Sequence, residues 1–111
     1  MNYYTFTVKG TDYKLRLGAK AVIDLEKKLK QNPVQVLADI GEKGTVPGLE
    51  PFLVILQASM SQYNHGVTMD KMYEIYDEYI EEGHTMYDLI AVIMDVFKVS
   101  GLIPENPDEK N

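Results

Sequence analysis

Tyr4-Thr5-Phe6-Thr7-Val8-Lys9-Gly10-Thr11-Asp12-Tyr13-Lys14-Leu15-Arg16-Leu17 is the stretch whose reading decides the fold. Tyr4, Phe6 and Val8 alternate with polar residues, and Tyr13, Leu15 and Leu17 do the same, which is the period-2 pattern of two half-buried strands. Gly10-Thr11 reads as a two-residue type II′ turn, with glycine supplying positive φ at the first central position. That turn predicts the pairs Val8 with Tyr13, Phe6 with Leu15 and Tyr4 with Leu17, and sets Lys9 opposite Asp12. All six apolar residues then share one face, and a slip of one residue would turn one strand's apolar set to the wrong side. A lone two-stranded hairpin is marginal in water, so this face must be covered by the rest of the chain.

The segments that follow carry helical spacing. Ala19 to Lys30 presents Val22, Leu25, Leu29 and the neighbouring Ile23 as a stripe, with Asp24 and Lys28, and Glu26 and Lys30, as i, i+4 pairs of opposite charge. Asn32-Pro33 ends that helix and opens a short one to about Ile40, with Val34, Leu37 and Ala38 inward. Gly41 to Gly48 reads as a loop. Leu49 to about Gln62 is a third helix with Leu49, Phe52, Leu53, Leu56 and Met60 on one face, widened by Val54 and Ile55. Thr68 is placed to cap a fourth, Met69 to Glu82, whose expected stripe is Met69, Met72, Tyr73, Tyr76, Tyr79 and Ile80, with Gly83 as its stop. Thr85 with Asp88 resembles a capping box for a last helix to about Ser100. That helix is apolar nearly all round and reads as the central core helix, or as one that also faces a partner. The expected fold class is therefore α+β, mostly helical, with an N-terminal two-stranded antiparallel hairpin packed on four to five helices. The expected organisation is one domain over 1–101 and a flexible tail over 102–111.

The totals bound the function classes. With 111 residues, 45% hydrophobic and 25% charged, the chain has the make-up of one globular domain. No cysteine is present, which removes disulfides and thiolate chemistry. No apolar run approaches the roughly 20 residues of a membrane span, and the alternating start lacks a signal-peptide core, so a soluble protein is expected. The net charge of −6 argues against a general nucleic-acid binder, yet it is unevenly spread. Residues 1–48 hold eight Lys or Arg against five acids, net +3, and residues 49–111 hold three against twelve, net −9. Two readings stand: solvated faces of separate elements, or opposite poles that orient copies or a basic partner on approach.

Chemistry-bearing constellations are weak. Asp77 and Glu81 lie one helical turn apart, but no histidine is spaced to join them, and Asp77, Glu78, Glu81 and Glu82 read as a solvated acidic face. His65 and His84 sit in turns beside glycine without ligand or triad spacing. Gly41, Gly44 and Gly48 lack the lysine and hydroxyl ending of a phosphate loop. Tyr73, Tyr76 and Tyr79 stand beside acids that would repel phosphate, so they read as packing residues. No catalytic, cofactor-binding or metal-ligating residue is assigned, and the chain is read as non-enzymatic. Lys14 and Arg16, on the outer face of the hairpin with Thr5 and Thr7, are either a solubilising surface or a docking one whose free edge accepts another strand.

Phe6, Val8, Gly10, Tyr13 to Ala19, then Leu25, Glu26, Leu29, Asn32 and Pro33, together resemble the opening of the tail assembly chaperones of long-tailed phages and prophages. Tyr63, His65-Gly66, Asp77, Tyr79 and the closing Ser100-Gly101 are similar in spacing, so the resemblance spans about Thr5 to Leu102. It implies a protein of the bacterial host cytoplasm that binds the tape measure protein, keeps it soluble and helps recruit tail tube subunits, self-associating as it does so. It also implies a short and a frameshifted long form that diverge after Gly101. Met94, Phe97, Leu102 and Ile103 are the expected contact surface for the tape measure chain, because the last helix has more apolar surface than one core needs. The alternative is a structural virion component such as a head-tail connector or tube-associated protein.

Overall fold

The computed structural model describes residues 2–44 and 46–105. Strands β1 (Tyr4–Val8) and β2 (Thr11–Leu15) form an antiparallel hairpin, followed by helices α1 (Ala19–Leu29), α2 (Pro33–Lys43), α3 (Leu49–Met60), α4 (Met69–Glu81) and α5 (Asp88–Val99). The α+β class and the hairpin-then-helices order are those the patterning predicts.

The register differs from the expected one by two residues. Tyr4 pairs with Leu15, Phe6 with Tyr13 and Val8 with Thr11, and the turn is Lys9-Gly10, at φ 50° and 77°. Positive φ at both central residues is what a type I′ turn requires, and its twist matches that of the strands. A shift of two preserves which side chains face the core, so Phe6, Val8 and Leu15 are buried as expected and Tyr4 and Tyr13 are half-buried. Asp12 lies opposite Thr7 and accepts its hydroxyl hydrogen bond at 2.7 Å. Lys9 reaches instead to Glu81 on α4, 3.1 Å away. Leu17, freed from the ladder, is buried beyond the end of β2, and its backbone N–H donates to Ser100 Oγ at 2.9 Å. That bond ties the exit of the hairpin to the end of α5.

One hydrophobic cluster joins the hairpin to all five helices. Its centre is α3, not α5 as the apolar content of the last helix suggests. Helix α3 packs against β2, α1, α4 and α5 and buries Phe52, Leu53, Ile55, Leu56, Ser59 and Met60. The buried Ser59 hydroxyl is satisfied by the Ile55 carbonyl at 2.7 Å, the back-bond that lets a serine sit inside a helix core. Helix α5 buries Leu89, Val92, Ile93, Val96 and Phe97 but leaves Met94 39% exposed, so its surplus apolar surface turns outward.

Several boundaries move for identifiable reasons. Helix α2 runs through Gly41 to Lys43 and stops where Gly44 takes φ 69° and bonds back to the Ile40 carbonyl. The expected loop is thus shorter by a turn, and Pro33 and Val36 are its buried residues, with Val34, Leu37 and Ala38 half-buried. On α4 the buried set is Met72, Ile75 and Tyr79; Tyr73 is 50% exposed and Ile80 is exposed, so the packed stripe lies one position round from the expected one. Asp24 pairs with Lys20, at 3.0 Å, rather than with Lys28. Thr68 does cap α4, accepting from Lys71 N–H at 3.2 Å. Thr85 takes the other half of its expected box, its N–H donating to Asp88 at 2.9 Å, while α5 itself starts at Asp88. Leu102, where the tail was expected to begin, donates its N–H to the Phe97 carbonyl at 2.9 Å, and Leu102 and Ile103 pack half-buried on the core. Pro104 and Glu105 follow as exposed residues, and the remainder of the expected tail, 106–111, lies outside the described residues.

Candidate functional site

The surplus apolar surface of α5 meets an equally apolar wall from α2. Val34, Leu37 and Ala38 stand at i, i+3, i+4 on α2 with Ile40 beside them, and Ile90, Met94 and Phe97 stand at i, i+4, i+7 on α5. With Ile103 they line an open groove of 260 Å³ that carries no charged side chain. The α2 wall is set by its caps: Asn32 Oδ1 accepts the Val34 N–H at 2.9 Å, Pro33 occupies the first turn, and Gly44 closes the other end. The Ile103 end is set by the reverse turn after Gly101, where φ 80° brings the chain back over Phe97.

Three of the six expected contact residues converge here. Met94 is exposed at the rim and Ile103 is half-buried at the end. Phe97 is fully buried, so it is floor and core together, and a charged substitution there would unfold the protein rather than report on binding. Leu102 packs on the core next to the groove without lining it. The opposite wall was not foreseen, because Val34, Leu37 and Ala38 have the spacing of an ordinary core-facing stripe. Only the relative placement of α2 and α5 distinguishes a stripe that meets another element from one that meets half of it.

Lys14 and Arg16 lie elsewhere. The Lys14 ammonium sits 5.0 Å from the centre of the Tyr3 ring, a cation–π contact, and Tyr3 in turn meets Tyr63 edge-on at 5.7 Å. Arg16 lines a separate cleft of 390 Å³ with Gly18, Lys20, Asp24, Ser61 and Gln62, and its buried Nε has no hydrogen-bond partner among the described residues. In that cleft the hydrogen bond from Lys20 holds the Asp24 carboxyl below the usual carboxylate range, with the charges of Lys20, Lys27 and Lys28 adding to it. The two residues of the basic hairpin face therefore do not join Met94, Phe97 and Ile103 in one surface.

The remaining candidates are structural in placement. His84 stacks on Tyr79, with ring centroids 4.2 Å apart and planes 11° from parallel, and its Nδ1 is 3.6 Å from Asp88. Tyr79 also meets Phe6 at 5.2 Å, and burial, followed by the charge of Asp88 and by Tyr4, pushes its hydroxyl pKa up to about 12. Among the described residues no group of three or more His, Asp or Glu side chains is placed to hold a metal ion. Among the same residues no helix is long and apolar enough to cross a membrane. No curated protein and no solved structure matches the chain. The family of unknown function DUF6096 matches residues 2–110, and the chain belongs to that family.

Proposed function

We propose that this protein is a tail assembly chaperone: a non-enzymatic protein of the bacterial cytoplasm that binds the tape measure protein and helps recruit tail tube subunits. The observation that carries the reading is the uncharged groove between α2 and α5, with Met94 exposed at its rim. A tape measure chain is long and helical and carries apolar stripes that must be shielded before the tail is built. A groove walled by two helices takes anchors spaced i, i+3, i+4 from such a helix, the general mode by which amphipathic helices are recognised. The resemblance in the hairpin and first helix, Phe6 to Pro33, supports the same reading independently of the groove.

The test is co-expression with the long helical protein of the same tail gene cluster. The unsubstituted chain is expected to hold that protein in the soluble fraction and to co-purify with it. Met94→Asp places a charge in the apolar groove and is expected to weaken the complex about tenfold or more. Ile23→Asp, at an apolar α1 position that is 51% exposed and away from the groove, is the control expected to leave binding intact. A tape measure protein that stays insoluble beside the folded chaperone would overturn the proposal, as would recovery of this chain as a stoichiometric component of purified particles.

A further inference from the structure

The two edges of the hairpin are treated differently. In a two-residue hairpin the residues flanking the turn, Val8 and Thr11, exchange the first ladder hydrogen bonds. Counting outward, Thr7 with Asp12 and Thr5 with Lys14 are the pairs whose backbone groups point away from the ladder. On β2 the middle of this edge is occupied, although among the described residues the Asp12 backbone beside the turn is not: Asn64 Nδ2 donates to the Lys14 carbonyl at 2.7 Å, Asn64 Oδ1 faces the Lys14 N–H at 3.4 Å, and just past the strand the Arg16 N–H donates to the Ser59 carbonyl at 2.9 Å. On β1, among the described residues, the backbone N–H and C=O groups of Thr5 and Thr7 find no partner, and both residues are exposed. Residues 3–8 carry no charge, proline or bulge, so the usual guards of an open edge are missing.

We propose that β1 pairs antiparallel with β1 of a second copy of this chain, about a two-fold axis at Phe6, to form a four-stranded sheet across a dimer. The occupant follows from self-complementarity. Pairing about Phe6 sets Thr5 of each copy opposite Thr7 of the other, so the unpartnered groups of one strand meet those of its copy in both places. The facing side chains are then threonine on threonine, a favourable cross-strand pair, with no like charges opposed. The same register sets Lys9 of the second copy opposite Tyr3. Beside Tyr3 and Tyr4 the edge opens into a groove of 420 Å³ whose wall carries Asp95, Lys98 and Glu105. Asp95 stands close enough to Tyr4 to add to the effect of burial in raising that tyrosine's pKa. The only charge on either strand end of the pairing is thus brought to a wall with two carboxylates and one ammonium. Within its own copy Lys9 makes, among the described residues, a single exposed ion pair, with Glu81, which costs little to exchange. This inference does not depend on the chaperone reading.

Sedimentation equilibrium of the full chain at micromolar concentrations is the test. The unsubstituted protein is expected to form a concentration-dependent dimer in which the Thr5 and Thr7 amides gain hydrogen-exchange protection with concentration. Thr5→Pro removes an outward N–H at an edge position where proline is tolerated, and is expected to raise the dimer dissociation constant about ten- to a hundredfold. Thr5→Lys with Thr7→Lys leaves every backbone group in place but opposes like charges, and is also expected to be monomeric. Mixed with Thr5→Glu, Thr7→Glu chains, it is expected to recover a heterodimer. Circular dichroism establishes that each variant is folded, and the charge pair carries the test if the proline variant is not. A folded wild type that stays monomeric, or a dimer that is insensitive to the charge variants, would overturn the proposal.

Discussion

Strands β1 and β2 share one ladder and one core, yet they are held to the body by different forces. Strand β2 is fastened along its outer edge by Asn64 and Ser59, residues from the end of α3 and the turn after it, so that one side-chain amide does the work of a third strand. Among the described residues strand β1 has no such fastening, and it is held from beneath, through Phe6 and Val8 against α4 and α5. The contrast teaches how a two-stranded sheet is kept from growing in both directions. Blunting a single edge with local hydrogen bonds leaves the other free to grow once, and a two-fold pairing would then leave only edges that are already blunted.

The largest expected effect comes from removing what holds β1. Phe6→Ala empties a buried site that meets the Tyr79 ring at 5.2 Å, and is expected to cost about 3–5 kcal/mol in urea unfolding. Tyr13→Ala, directly opposite Phe6 but half-buried on the fastened strand, is expected to cost markedly less. Equal losses would mean that the two strands are held alike. Tyr79 extends the test to pH. Its folded pKa of about 12 lies above the ordinary 10, so the neutral hydroxyl is favoured by folding. The stability it contributes is fully present below pH 10 and is lost as pH rises from 10 through 12. Tyr79→Phe is therefore expected to flatten the stability profile in that window and leave the neutral range unchanged in slope.

On the other edge, Asn64→Ala removes the partner of the Lys14 backbone and a further bond from Nδ2 to the Met60 carbonyl at 2.9 Å. A loss of about 1–2 kcal/mol is expected, because water reaches part of this site and replaces some of what is removed. The informative readout is solution state rather than stability alone. With the Lys14 stretch of the β2 edge open as well as β1, and only the Arg16 bond to Ser59 left, the variant is expected to form species larger than a dimer in sedimentation velocity, and a purely dimeric variant would show that Asn64 is only a structural tie.

Much of this was legible in the residues, and the limits are physical. Alternation fixed the parity of each strand, which is why Phe6, Val8 and Leu15 are buried as expected, but parity is silent about shifts of two. Helical spacing located all five helices, whereas the choice of α3 over α5 as the centre depends on which apolar stripe meets four neighbours, a property of the assembled packing. The groove shows the same limit from the other side. Met94 and Ile103 were singled out as surplus apolar surface, while the facing Val34, Leu37 and Ala38 looked like core and Phe97, taken for surface, is core. Asn64 gave no local signal at all: its role requires β2, fifty positions earlier in the chain, to lie alongside it.

The shift of two in the register comes down to which pair of residues turns, and that gives the smallest expected effect. Lysine rarely takes positive φ, so Gly10-Thr11 is the natural choice of turn on sequence grounds; the chain nevertheless turns at Lys9-Gly10, with Lys9 at φ 50°. The second turn residue being glycine, and the better twist of a turn with two positive φ values, outweigh the strain at one lysine. Lys9→Asn keeps the turn and relieves that strain, since Asn-Gly is the preferred pair for it, at the loss of the exposed ion pair to Glu81. A net gain of about 0.5 kcal/mol is expected, read as a rise in the urea midpoint with an unchanged slope. If the turn were Gly10-Thr11, position 9 would lie in a strand, where asparagine is disfavoured, and the same substitution would lower the midpoint. The sign of this small change therefore decides between the two registers, and with it whether Thr5 and Thr7 are the residues whose backbone faces outward.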